Sequence, residues 1–420
     1  MIRHEFTRHR AAYVLAALAL AAALGGCRKD DEIVRSTSTQ VIFEDVKGPV
    51  KGFFLLNEGN MGSNKATLDY FDYETGVYTR NIYAERNPGV VKELGDVGND
   101  IQIYGHRLYA VVNCSHFVEV MDAHTARHIG VVSIPNCRYI VFKDRYAYVS
   151  SYAGPVKIDP NARLGYVAKV DTATLQVLDT CVVGYQPEEM AIVGDKLYVA
   201  NSGGYRVPDY DRTVSVIDLR DFREIKKIDV AINLHRLELD RYGQIWVSSR
   251  GDYKRTGSKT FVIDSQTDRV IDSLPLLANS NMTRCGDSLY VYSTEWSWIT
   301  ERNTVTYAIV DTRTRRVVSR NFITDGTQKL IKIPYGVAVN PNTHEIFATD
   351  AKDYVTPGTL YCFGPDGRKK WSVTTGDIPA HIVFTPYKLQ PLGEEGKNEA
   401  GRERGADAPT GGSGTGGVKK

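Results

Sequence analysis

The side chains able to do chemistry are present, but their spacing does not bring them together in any familiar order. His116, His235 and His381 could converge on one face and ligate a metal, yet their separation lacks metal-site spacing. Glu58, Asp100, Glu188 and Asp350 could supply an acid/base pair, and nothing selects one pair over another. No Gly-x-Ser-x-Gly, His-Glu-x-x-His, phosphate-cradling loop or dinucleotide fingerprint occurs. The expectation is therefore a chain without catalytic residues, metal or cofactor. Apart from Cys27 there are five cysteines, at 114, 137, 181, 285 and 362, so at least one is unpaired; Cys114 and Cys137 lie near loop ends and are the candidate disulfide.

Binding chemistry is better represented. Tyr numbers 25 and Gly 37 in 420 residues, against 5 Met, a balance that favours strands and turns over helical bundles. With 42% hydrophobic and 24% charged residues the chain can bury a substantial core. Lys+Arg 52 against Asp+Glu 50 argues against a general nucleic-acid binder.

The elements that must position these residues repeat. An apolar run with an aromatic near its start recurs seven times: Phe53-Phe54-Leu55, Leu108-Tyr109-Ala110, Ala147-Tyr148-Val149, Leu197-Tyr198-Val199, Ile245-Trp246-Val247, Leu289-Tyr290-Val291 and Ile346-Phe347-Ala348. Six are followed by a second run ending in Asp72, Asp122, Asp171, Asp218, Asp264 or Asp311, at intervals of 46 to 50 residues. That period fits four short strands per unit and predicts an all-β, seven-bladed propeller over 50–387. The recurring Asp reads as a turn-former and the aromatic column as packing between blades. The first unit lacks an innermost strand and the chain ends in an orphan one, His381–Thr385, so the two termini are expected to pair and close the ring.

Within each blade, strands A to D from the centre outward, the A–B and C–D turns are short. Most B–C connections are long: 57–66, 150–165, 201–213, 249–260, 294–304 and 350–358. B–C and D–A loops emerge on the same side, so surplus sequence gathers on one face, where binding usually resides. The candidate ligand residues are Asn57, Asn60, Met61, Asn99, Phe117, Asn136, Arg138, Tyr152, Gln186, Tyr205, His235, Arg250, Tyr253, Asn281, Trp296, Trp298, Tyr335, Tyr354 and His381. Tyr and Trp offer rigid apolar area with a polar handle, and amides both donate and accept. The mixture suits a large, neutral, amide- or hydroxyl-rich ligand.

The N-terminus reads as an export signal over 1–26. Arg3, Arg8 and Arg10 precede the apolar run Ala11–Leu24, which at 14 residues is too short to span a bilayer. It ends in Leu24-Gly25-Gly26-Cys27, which looks like a bacterial lipobox with Cys27 as the lipidation site. The following Arg28-Lys29-Asp30-Asp31-Glu32 resembles an acidic signal for surface export. Residues 27–49 then serve as lipidated Cys and flexible linker, and 388–420 as a disordered tail. Cleavage before Cys27 leaves 49 basic and 49 acidic residues.

Leu197-Tyr198-Val199-Ala200-Asn201 with Val214-Ser215-Val216-Ile217-Asp218 resembles the repeat of the YVTN, or YncE-like, seven-bladed propellers. Phe54–Asn64 followed by Leu68-Asp69-Tyr70-Phe71 is similar to surface lipoproteins of the BtuG type. That resemblance implies capture of cobalamin or a related corrinoid without chemistry, a TonB-dependent outer-membrane transporter as partner, and an outer-membrane location, lipid-anchored and facing the cell exterior. The alternatives on the same face are a glycan-binding lipoprotein and a propeller enzyme of lyase or oxidoreductase type.

Overall fold

The computed structural model describes residues 39–41, 49–90, 93–275, 277–297 and 302–391. The expected export signal, Cys27 and the expected tail beyond 391 lie outside the described residues.

Alternation of apolar and polar residues, cut by tight turns, produces seven antiparallel sheets. Blades 2 to 7 are consecutive in sequence; blade 4, for example, is A Pro187–Val193, B Lys196–Asn201, C Thr213–Asp218 and D Arg223–Asp229. Blade 1 is composite. Its A strand is Pro379–Thr385 from the C-terminus, paired antiparallel with B, Gly52–Asn57, from the N-terminus. The ring therefore closes as the orphan strand predicted, though the pairing begins two residues earlier.

Six turns rest on the repeating Asp. Asp72, Asp122, Asp171, Asp218, Asp264 and Asp311 each accept backbone N–H bonds from residues two or three further on. This bonding is local, which is why the period survives in the sequence. The aromatic column packs across blade seams. Tyr198 joins blade 5 residues Leu234, Leu237 and Ile245, and Phe347 joins Phe53, Phe71 and Tyr73 of blade 1.

Four expectations are corrected. Thr39–Val41, read as linker, is a short strand on the outer edge of blade 1, paired with Val77–Thr79. Residues 294–297 and 302–304, inside the span read as a loop, continue blade 6: Ser288–Ser297 and Arg302–Asp311 pair along their full lengths. Gln390 N–H bonds the His124 carbonyl and Leu389 N–H the Tyr70 hydroxyl, so the first residues assigned to the tail are docked. Cys114 and Cys137 are both free thiols, and the Cys137 Sγ lies 3.3 Å from the Phe117 carbonyl.

Candidate functional site

The centre of the loop-rich face is shaped by a repeated irregularity. In six blades the A–B pairing shifts by one residue near the start of strand A, between Pro187 and Met190 in blade 4 and between Leu234 and Leu237 in blade 5. The same shift occurs in blades 1, 2, 3 and 7. Such a bulge adds an unpaired residue and re-aims its side chain. The pairs at these irregularities are Ala380-His381, Asn99-Asp100, Arg138-Tyr139, Glu188-Glu189, His235-Arg236 and Tyr335-Gly336 in blades 1, 2, 3, 4, 5 and 7, with His381 and Asp100 already back in register opposite Leu56 and Val111. Blade 6 pairs Asn281–Cys285 without a shift.

The bulge residues of blades 3, 4 and 5 form one network. The fully buried Glu188 carboxylate accepts Arg138 Nε at 3.2 Å and Nη2 at 3.1 Å, the Tyr152 hydroxyl at 2.6 Å and Arg250 Nη1 at 3.3 Å. Burial pushes its pKa up, but Arg138 and Arg250 outweigh this and hold it below the usual carboxylate value. The Arg138 guanidinium lies 4.8 Å from the Tyr152 ring centroid and 5.9 Å from that of Tyr139, which Arg236 approaches at 5.3 Å. The Tyr139 hydroxyl and His235 Nε2 share a hydrogen bond of 2.9 Å. Burial, then the charges of Arg250 and Arg236, push His235 far below its ordinary pKa and keep the ring neutral.

Carboxylates at the second position of these pairs lock neighbouring blades. Asp100 accepts Ile140 N–H at 3.0 Å and Glu189 accepts Leu237 N–H at 2.8 Å. Burial raises both, Glu189 to about 7, although Arg236 stands 3.5 Å away. Across the mouth, Glu58 accepts the Tyr335 hydroxyl at 2.7 Å and lies 3.3 Å from His381 Nε2.

The expected amide ring is largely committed to the scaffold. Asn99 donates to the Arg138 carbonyl at 2.6 Å and Asn281 to that of Tyr335 at 3.0 Å, while Asn136 bonds the Gly154 carbonyl. Gln186 accepts Tyr205 N–H at 3.2 Å. All four amides are buried. Asn57 is buried inside blade 1 with its amide on Thr67 Oγ1 at 3.1 Å, and Phe117 packs against the core under blades 1 and 2. The four amides are structural in placement because a D–A corner must satisfy its backbone before it can present anything outward, whereas Asn57 and Phe117 belong to strands B and C.

What the face does present is aromatic and cationic. Tyr152 and Tyr205 meet edge-on at 6.2 Å, and Tyr335 and Tyr354 at 6.0 Å. Met61, Tyr253 and Tyr354 are exposed, and Asn60 bonds the Tyr354 carbonyl, joining loops of blades 1 and 7. Trp296 sits on the blade 6 hairpin, and Trp298 lies outside the described residues. Sequence reasoning found Arg138, His235 and Glu188 but missed Tyr139, Glu189 and Arg236. Their signal was available: each directly follows a residue already singled out at the entry to strand A. Among the described residues, no three His, Cys, Asp or Glu side chains come together as a metal site.

Residues 51–373 match the family described as "Domain of unknown function (DUF5074)". The chain belongs to that family. No curated protein matches it by sequence. Among solved structures, this DUF5074 chain is similar to a quinonprotein alcohol dehydrogenase-like protein from Bacteroides thetaiotaomicron, with TM-score 0.55 and 14% identity over 80% of this chain and 79% of that one. It is also similar to a functionally unknown protein from Desulfotomaculum acetoxidans, at TM-score 0.55 and 10% identity over 80% and 99% of the two chains. Hydrazine synthase of Kuenenia stuttgartiensis gives TM-score 0.51 and 16% identity over 64% of this chain and 77% of that one. At these identities the likeness is one of fold.

Proposed function

We propose that the DUF5074 propeller is a ligand-capture protein whose loop-rich face holds a large organic ligand without transforming it. The observation that carries this reading is two aromatic pairs on the loops of this face, Tyr205 against the buried Tyr152 and the exposed Tyr354 against Tyr335, beside charged groups that are bonded in place. Rigid aromatic surface over a preorganised polar floor binds at low entropic cost. Glu188 is ionised but enclosed by two guanidiniums and a phenol, a poor arrangement for a proton-transferring base.

The ligand class follows from the sequence resemblance. A corrinoid such as cobalamin would bury its apolar ring edges against the tyrosines and set its peripheral amides on the polar floor. The Leu24–Cys27 signal supports a lipid-anchored protein on the cell exterior that passes the corrinoid to a TonB-dependent transporter. Calorimetry of the mature chain with cyanocobalamin tests this: saturable binding at micromolar concentration is expected, and its absence rejects the corrinoid. Tyr253→Ala and Tyr354→Ala should each weaken binding roughly tenfold, since a truncated aromatic anchor costs about 1–2 kcal/mol. The same exposed rings could seat a sugar, so binding to a glycan array with no corrinoid affinity would favour the glycan reading.

A further inference from the structure

The sequence suggests a neutral ligand, but the floor of the mouth is not neutral. Three guanidiniums, from Arg138, Arg236 and Arg250, gather around Glu188 and Tyr139. Glu188 answers two of them. Arg236 faces Glu189 at 3.5 Å, and burial raises that carboxyl to about 7. Glu58 is engaged on the other side by Tyr335 and His381. Arg236 is thus the one of the three guanidiniums that no carboxylate holds by a hydrogen bond.

Two buried polar atoms here lack a partner. Arg236 Nε and His235 Nδ1 are both enclosed and unbonded, on consecutive residues of the blade 5 bulge. When the Tyr139 phenol donates to His235 Nε2, the imidazole proton resides on Nδ1, which is then a second unused donor. Buried donors normally find acceptors, and leaving them bare is costly. A guanidinium with no hydrogen-bonded carboxylate and a free Nε–H, beside an unpartnered imidazole nitrogen, is what an oxyanion would satisfy.

We propose that the mouth between blades 3, 4 and 5 is an oxyanion subsite, taking one phosphate or carboxylate group of the captured ligand, with Arg236, Arg250 and His235 as donors. It rests on reading the loop-rich face as the binding face, but not on the ligand being a corrinoid. Glu188 sets the affinity: its carboxylate occupies donors of Arg138 and Arg250 that an incoming anion would otherwise use.

The test is calorimetric titration of the mature chain with inorganic phosphate, dimethyl phosphate and acetate at low ionic strength. One saturable site is expected. Glu188→Gln should tighten binding of the preferred anion roughly tenfold by releasing the guanidiniums, and Arg250→Gln should weaken it about as much. Arg220→Gln, on the opposite face, should change nothing. The order of the three anions identifies the group recognised. No saturable site, an equal loss in Arg220→Gln, or anion binding unmoved by Arg250→Gln overturns the proposal; should Glu188→Gln fail to fold, Arg250→Gln decides alone. Cyanocobalamin, which carries a phosphodiester, and cobinamide, which lacks it, separate the two readings. Anion binding without corrinoid binding retains the subsite and rejects the corrinoid. Corrinoid binding indifferent to both the phosphodiester and Arg250→Gln, with no free-anion binding, does the reverse.

Discussion

Glu188 shows how one side chain can serve both the scaffold and the face. It is fully buried, yet ionised, because two guanidiniums and a phenol offset its desolvation. Replacing it with Gln breaks buried pairs with Arg138 and Arg250, and the expected cost is about 3 kcal/mol in urea unfolding. Its neighbour Glu189 behaves oppositely with pH. Its folded pKa, raised to about 7, exceeds the value near 4.5 of an exposed glutamate, so ionising it in the fold is unfavourable. It therefore contributes a penalty that is absent below about pH 4.5 and grows until pH passes the folded value. Glu189→Gln, which keeps the bond from Leu237 N–H, should match wild-type stability at pH 4.5 and exceed it at pH 8, by on the order of 1–3 kcal/mol. An advantage that shrinks as pH rises would contradict the assignment. The sequence singled out Arg138, Tyr152, Glu188 and Arg250 one by one, but their pairing was not legible, since they are joined only by the ring, 50 and 62 residues apart.

At the scale of elements the sequence was far more readable. Strand ends fixed by Asp, and aromatics packing at blade seams, are set by local bonding and simple burial, and both leave periodic marks. The bulges leave a weaker mark, because the phase shift of a one-residue insertion falls within the first residues of strands only six or seven residues long. Close approaches between blades are silent. A Cβ on Gly358 would lie 2.3 Å from Pro379 Cδ and 2.8 Å from the Asp350 carbonyl, at the seam between blades 7 and 1. Backbone on one side and a proline ring on the other leave it nowhere to go. Gly358→Ala should cost about 1–3 kcal/mol, read as a lower urea midpoint at unchanged m. The seam's apolar centre should respond more strongly. Phe53 is fully buried against Phe71 at 5.2 Å and Phe347 at 5.0 Å, and Phe53→Ala is expected to cost about 3–5 kcal/mol.

For the whole molecule the decisive contact is the one that joins its ends. Strand A of blade 1 comes from residues 379–385 and its B, C and D strands from residues 52–79, so one sheet joins the two ends of the propeller. Ile382 and Phe384 pack on the cluster containing Phe53 and Phe347, and Phe384 lies 6.1 and 5.8 Å from those two rings. Removing residues 379–391 would leave the Gly52–Asn57 edge unpaired and open the apolar seam to water. It would also remove His381 from Glu58 at the mouth. An open, apolar strand edge recruits other chains. The truncated chain should therefore lose its single cooperative urea transition and elute as oligomers in size-exclusion chromatography with light scattering. A truncated monomer unfolding at the full-length midpoint would mean that the other six blades hold the ring without closure. Binding at the mouth should fail together with closure, because its charged groups are held at fixed distances only while the blades bearing them are held in a circle.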